Sequence, residues 1–339
     1  RTCYAGSCYG IKIACYVVYM ASPLFSEDSE DKWKQAAEAA YDIIKQKTDL
    51  GLDLVPYPQI FNDVNNQKAE VILYRPTGES GDFEKANFPI GVEGGKTSTC
   101  PTQNLMEAYD MKDGTPFVWN NQSNPYDNRD PRMKYTIVCN EMKWPVDPVE
   151  IWEGGTNGLP LQNATTTGYY LKKYVNNTIS FEAGSTVTKK QHNWVLFRYG
   201  EILLNYAEAM INAFHDPNYK DAVYNMSARE AVNQIRGRTN ISLPGFPSDI
   251  TEKDFVKRLK NERRVELAFE GHRFWDVRRW KELGQTANIY GVKITKNNEV
   301  ISYEKFLLET RAVTDNMYFY PIPNTERFKN PNLGQNPGW

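Results

Sequence analysis

Apolar side chains cover most faces of a helical projection over residues 4–21, which predicts a buried helix ended by Ser22-Pro23. A second helix is predicted from Trp33 to Lys45, where Trp33, Ala36, Ala37, Ala40, Tyr41 and Ile44 follow i, i+3, i+4 spacing. Residues 1–46 therefore read as an antiparallel helix pair. From 46 to 125 the helical period fades except near Asn104–Asp110, and Gly, Pro, Asn and Ser become frequent. The aromatics of this stretch (Tyr57, Phe61, Tyr74, Phe83, Phe88 and Trp119) predict an ordered surface rather than disorder. Asn128-Arg129-Asp130-Pro131-Arg132 is turn chemistry leading into a strand over residues 133–139, whose residues alternate; Tyr169–Val175 alternates likewise.

Helical spacing returns from Trp194, through Leu196, Tyr199, Leu203, Tyr206 and Met210. Ser227 and Glu230 form a capping box, with Met226 and Ala231 as its staple and Gly237 as the stop. Thr251 caps a further helix, stapled by Ile250 and Phe255, that runs to about Trp280 with a bend at Gly271. The tail from Tyr318 to Trp339 reads as extended. The fold class is mainly α: helical-repeat (TPR-like) helix pairs with a long loop-rich middle and a few short β-strands, although no clean internal repeat is visible. One domain is expected, divided into a helix pair (1–46), a loop-rich ligand side (47–193), a helical scaffold (194–282) and an extended C-terminal segment (283–339).

Composition narrows the function. The 339 residues carry 40 Lys+Arg against 42 Asp+Glu, a net charge of −2 that argues against a nucleic-acid binder. No run approaches the roughly 18 apolar residues of a membrane span. Three histidines (His192, His215, His272) leave little material for a metal site or a His-based triad, and no cofactor is implied. The five cysteines include no CxxC and read as small buried apolar residues. Gly95-Lys96-Thr97 resembles the end of a phosphate loop, but Ile90 stands where the pattern needs Gly.

Glu262, Glu266 and Glu270 are spaced four apart on one predicted helix face. A hydrolase would use two of them as acid and base. Their apolar neighbours Val265, Leu267, Ala268 and Phe269, with Arg263, Arg264, Arg273, Arg278 and Arg279 close by, favour a buried ion-pair network. The chain is rich in aromatics (8 Trp, 21 Tyr, 15 Phe) that join a flat apolar face to a polar tip. A sugar packs its C–H face on such rings and needs polar partners for its hydroxyls. Trp144, Trp152 and Trp119 in the irregular middle are the candidate platforms, with Tyr74 and Arg75 beside them.

Asn261–Trp280, NERRVELAFEGHRFWDVRRW, resembles the signature helix of the SusD/RagB family. Agreement extends to PTQNLMEAYDMKDG, NRDPR with its strand, TGYYLKKYV, FRYGEILLNYAEA and the ending YPIPNTERFKNPNLGQNPGW, in that order. The resemblance implies a non-catalytic, cell-surface lipoprotein of the Gram-negative outer membrane. Such a protein binds a glycan, in some members a peptide, and passes it to a SusC-like TonB-dependent transporter. A purely structural transporter cap is the other reading; a glycoside hydrolase comes last. Family members are usually longer, so the chain is expected to be the C-terminal portion of one, reaching the membrane only through a lipid anchor on the missing N-terminal part. Glu262, Arg263, Glu266, Glu270, Gly271, Arg273, Asp276, Arg278 and Trp280 are the signature residues, read as defining the fold rather than the ligand.

Overall fold

The computed structural model describes residues 30–61, 69–120, 124–145, 147–182 and 188–339; the helix expected over 4–21 lies outside them, as do Cys3, Cys8 and Cys15. In chain order the elements are α1 (Glu30–Lys45), α2 (Pro58–Phe61), β1 (Val71–Ser80), α3 (Asp82–Asn87), α4 (Gln103–Met106), α5 (Pro131–Thr136), β2 (Ile137–Val138), β3 (Tyr170–Leu171) and β4 (Lys190–Arg198). There follow α6 (Tyr199–Phe214), α7 (Ala228–Arg236), α8 (Glu252–Glu266), α9 (His272–Arg279), β5 (Asn288–Asn297), β6 (Val300–Thr310) and α10 (Asn324–Lys329). The fold is mainly helical, and the strands form three separate two-stranded antiparallel sheets: β1–β4, β2–β3 and β5–β6. Among the described residues no helix is long and apolar enough to cross a membrane.

Helix α1 forms where its apolar stripe predicts it and buries Trp33, Ala36, Ala37, Ala40 and Tyr41. Its partner is α6, which is buried almost all round because it runs through the middle of a core shared with α1, α7 and α8. Small residues admit the close approach: Ala36, Ala37, Ala40, Ala207 and Ala209 are all fully buried. The capping box of α7 is present in full, and the Thr251 hydroxyl accepts the Asp254 N–H at the start of α8.

Several elements depart from the sequence reading. The helix expected from Trp194 begins only at Tyr199; residues 190–198 are strand β4, paired with β1. The strand expected over 133–139 is helix α5 with only Ile137–Val138 extended, because Asp130 is an N-cap whose carboxylate accepts the Arg132 N–H at 2.9 Å and Pro131 occupies the first helical turn. The helix from Thr251 does not run through to Trp280. It ends at Glu266, and a turn carrying Phe269 and Gly271 at positive φ redirects the chain into α9. The C-terminal segment contains the β5–β6 hairpin, closed by Asn298 and Glu299, both at positive φ, and the tail folds one short helix, α10.

The loop-rich middle has its own core. Phe88, Met106, Tyr109, Met133, Ile137, Tyr169 and Tyr170 pack with Val292, Ile294 and Tyr303 of the hairpin. Tyr57, Phe61 and Phe88, expected at a surface, are buried. The buried Arg129 guanidinium stitches these loops by donating to the carbonyls of Met106, Tyr109 and Pro125 at 2.6–2.8 Å. Irregular backbone is tolerated here because its carbonyls are satisfied by side chains.

Candidate functional site

The signature segment builds an internal scaffold. Glu266 accepts from Arg198 and Arg238, each at 2.8 Å to one oxygen, and from Arg132 at 2.8 Å to the other. Glu262 pairs with Arg132 and with Arg236 at 2.7 Å. Glu270 pairs with Arg198 at 2.7 Å and Lys173 at 2.8 Å; Glu70 pairs with Arg198 and Arg238; Asp130 pairs with Arg132. Five buried cations (Arg132, Lys173, Arg198, Arg236, Arg238) thus face five carboxylates (Glu70, Asp130, Glu262, Glu266, Glu270). Burial works against the charged form of Glu266, but the Arg238, Arg198 and Arg132 guanidiniums outweigh it and hold the carboxyl well below its usual range. Gly200 carries no Cβ for a reason: one would come within 2.5 Å of the Arg198 Nη1 and 2.9 Å of a Glu70 oxygen.

The ion-pair network is therefore present, with partners other than the nearby arginines named from sequence. Glu270 sits in the turn past α8 rather than on its face. Arg263 and Arg279 pair instead with Asp276, at 2.8 and 2.9 Å, and Arg279 and the Trp280 indole N–H also engage Glu208 at 2.7 Å. Arg264 donates to the Asn104 carbonyl, Arg273 to the Gln285 side chain and Arg278 to the Phe274 carbonyl. Glu266 is fully buried and held ionised, so it meets neither solvent nor a substrate as an acid.

Trp144 lies in the core of the loop-rich middle, Trp119 and Trp152 pack against that core, and Tyr74 lies on β1. Trp144 is 7% exposed and lines a cleft of about 350 Å³ with Phe61, Tyr135, Lys172, Tyr174, Asn176 and Asn177. Among the described residues its buried indole Nε1 has no acceptor. The Lys172 ammonium stands 5.0 Å from the Trp144 ring centroid, and burial lowers its pKa. Tyr174 is held at positive φ, which turns its ring onto Phe61 at 5.0 Å and Trp194 at 5.0 Å. Lys173 is spent on structure: its three N–H donors go to Tyr57, Ala268 and Glu270.

Trp152 is half-buried under the Lys296 ammonium at 4.7 Å; its neighbours Ile151 and Glu153 border a smaller cleft of about 250 Å³ against Val292 and Phe306. Trp119 is half-buried and packs edge-on against Phe117 at 6.4 Å. Tyr74 and the exposed Arg75 sit on β1, opposite Val195 and Trp194. The five candidates do not converge on one cleft. Arg75 is linked to the Trp144 cleft only indirectly: its register partner Trp194 packs on Tyr174, which lines that cleft. Phe61, Tyr135, Lys172, Tyr174 and the Asn176-Asn177 pair were missed. The signal was available in the run YLKKYVNN, where rings, lysines and amides alternate too closely for a core strand. Among the described residues no group of His, Cys, Asp and Glu could hold a metal ion.

Helices knit by buried ion pairs thus carry irregular loops in which aromatic side chains line clefts. The family model described as the SusD family matches residues 59–339, and the chain belongs to that family. SusD-like protein P2 of Formosa agariphila is 29% identical over 163 residues, 46% of this chain and 28% of that protein. The crystal structure of a SusD-like protein from Bacteroides fragilis superposes with a TM-score of 0.73 at 24% identity, covering 91% of this chain and 62% of that one. A SusD-like carbohydrate binding protein from the same species gives 0.72 at 25% identity, covering 90% of this chain and 62% of that one. This chain thus spans less than two thirds of the length of each of these relatives.

Proposed function

We propose that the chain binds an oligosaccharide in the Trp144 cleft and presents it, chemically unchanged, to a SusC-like TonB-dependent transporter at the outer membrane. The observation that carries this reading is the cleft's composition in a protein of this family. Rings from Trp144, Tyr135 and Tyr174 stand beside the amides of Asn176 and Asn177 and the Lys172 ammonium. An aromatic face takes the apolar side of a pyranose, while amides and an ammonium supply both acceptors and donors for its hydroxyls. The related protein described as carbohydrate binding supports the substrate class.

Affinity is expected to be modest, because each hydroxyl exchanges a water hydrogen bond for a protein one at a net gain of about 1 kcal/mol. Capture at a transporter mouth tolerates that, since tethering raises the effective ligand concentration.

Calorimetric titration against a panel of neutral oligosaccharides and short peptides tests the reading. Binding of at least one oligosaccharide, weakened by Asn177→Ala and by Lys172→Met, is expected. Binding confined to peptides, or no binding at all, contradicts it.

A further inference from the structure

We infer that a cationic cleft along α8 is a separate subsite for an acidic sugar, one bearing a uronate carboxylate or a sulfate ester. The cleft has a volume of about 470 Å³ and shares no lining residue with the other two. That size falls in the range of about 300–1,000 Å³ usual for small-ligand sites. The inference rests on the glycan reading above and adds the charge class of the ligand.

One stripe of α8 builds the wall. Lys253, Lys257, Lys260 and Arg264 recur at i, i+4, i+7 and i+11, and Arg258 flanks them. The opposite stripe of the same helix, Phe255, Leu259, Glu262 and Glu266, is buried in the core, so the cationic side chains are directed away from the scaffold network. Arg273 joins them from α9.

The cleft contains six cations and three carboxylates, and all three carboxylates are engaged: Glu107 by Lys305 at 2.8 Å, Glu282 by Lys260 at 2.6 Å, and Asp110 by Arg236 at 3.4 Å. Among the described residues, Lys253, Lys257, Arg258, Arg264 and Arg273 have no carboxylate within ion-pair distance. Five cations without a close ion-pair partner meet in one cleft of a chain whose net charge is −2, with carboxylates such as Asp110, Glu107 and Asp276 acting on the arginines only at longer range.

The guanidiniums are nevertheless fixed in place, by neutral acceptors. Arg258 donates to the Gly114 carbonyl at 2.9 Å and lies over the Phe246 ring at 4.3 Å. Arg264 donates to the Asn104 carbonyl at 2.8 Å, and Arg273 to Gln285 at 2.7 Å. Each of these bonds uses one of a guanidinium's five N–H donors, leaving oriented donors for a planar or tetrahedral oxyanion. Burial above all, and next the Arg273 charge, pull the Arg264 pKa down to about 10. Phe117 supplies an apolar ring on the facing wall, backed by the Arg129 guanidinium at 3.6 Å from its centroid. Anion donors beside a ring are what an acidic pyranose requires. A confined cleft on a chain with no net basic charge does not fit a nucleic-acid track.

The test is calorimetry of the intact chain at low and at moderate salt. The probes are tetragalacturonic acid and its methyl ester, a chondroitin sulfate tetrasaccharide and its desulfated form, neutral cello- and maltotetraose, and phosphatidylglycerol vesicles. An acidic probe is expected to bind at least about tenfold more tightly than its uncharged counterpart, as charge-assisted bonds imply. Added salt should weaken it. Arg264→Gln and the exposed pair Lys253→Gln/Lys257→Gln should each lower that affinity by about three- to tenfold, the exposed pair with melting unchanged and Arg264→Gln with some loss of melting temperature from its broken bond to the Asn104 carbonyl. Neutral sugars binding while no acidic one does would overturn the subsite and leave the glycan reading standing. Acidic binding indifferent to both variants would place the anion elsewhere and overturn it too, as would retention on the vesicles alone. No sugar binding of any kind would remove both.

Discussion

Arg198, the last residue of β4, donates to Glu266, the last residue of α8, across 2.8 Å, and the same guanidinium also reaches Glu70 and Glu270 at 2.7 Å. A strand end and a helix end 68 residues apart are thereby joined beneath both the helical core and the loop-rich side. Removing one partner of such a buried network leaves the others charged and dry, at a cost of about 3–5 kcal/mol. Glu266→Ala is expected to destabilise by that order in urea unfolding, since Arg132, Arg198 and Arg238 all lose a carboxylate. A loss below about 1 kcal/mol would mean that the network relaxes freely.

The acid limb of stability should follow the same carboxylates. Glu262, Glu266, Glu270, Asp276 and Glu208 are all held below their ordinary values despite burial, by the guanidiniums around them and, for Glu270, by Lys173 as well. A carboxyl with a lowered folded-state pKa contributes stability that is present above its unfolded value, about 4.5, and is lost as pH falls through the folded one. The melting temperature should drop steeply below about pH 4.5, and Glu270→Gln should flatten that slope. An acid limb unchanged by the substitution would contradict the assignment.

Lys173 has the opposite sign. Burial lowers it from 10.5 to about 8 although Glu270 pulls it up. Between those two values the unfolded chain holds a proton that the folded one lacks, so its contribution to stability rises with pH across that window. Lys173→Met should abolish the rise, read as melting temperature between pH 8 and 10 in wild type and variant. An equal rise in both would assign it to another group.

Gly168 lies at φ +83, and a Cβ there would stand 2.5 Å from the Val292 carbonyl oxygen, where the hairpin docks on the middle layer. Gly168→Ala is expected to cost more than about 1 kcal/mol and to speed amide exchange in β5, whose Val292 N–H bonds to the Thr167 carbonyl at 2.9 Å. Unchanged exchange would show that the hairpin is held elsewhere.

Much of the helical frame was legible because its signals are local. The Trp33–Ile44 stripe, the Ser227–Glu230 capping box and the Thr251 cap each became the predicted feature. Asp130-Pro131 was an equally local cap, obscured by the alternation that follows it. Strand β4 was masked because Leu196, Tyr199 and Leu203 fit a helical period across the strand–helix junction. The partners of Glu262 and Glu266 come from 26 to 134 residues away, a distance that sequence spacing cannot encode. The Trp144 cleft is assembled from five separate segments, so single residues were readable but their convergence was not.

The most direct measurement is the affinity of wild type and Trp144→Ala for the tightest-binding oligosaccharide of the neutral panel, with the recovered sugar analysed for cleavage. Trp144 is largely buried, so its loss is expected to lower the melting temperature while leaving a native circular dichroism spectrum, to weaken binding about tenfold, and to leave the sugar intact. Equal affinity in the two proteins, or a shortened sugar, would contradict a binding cleft at Trp144.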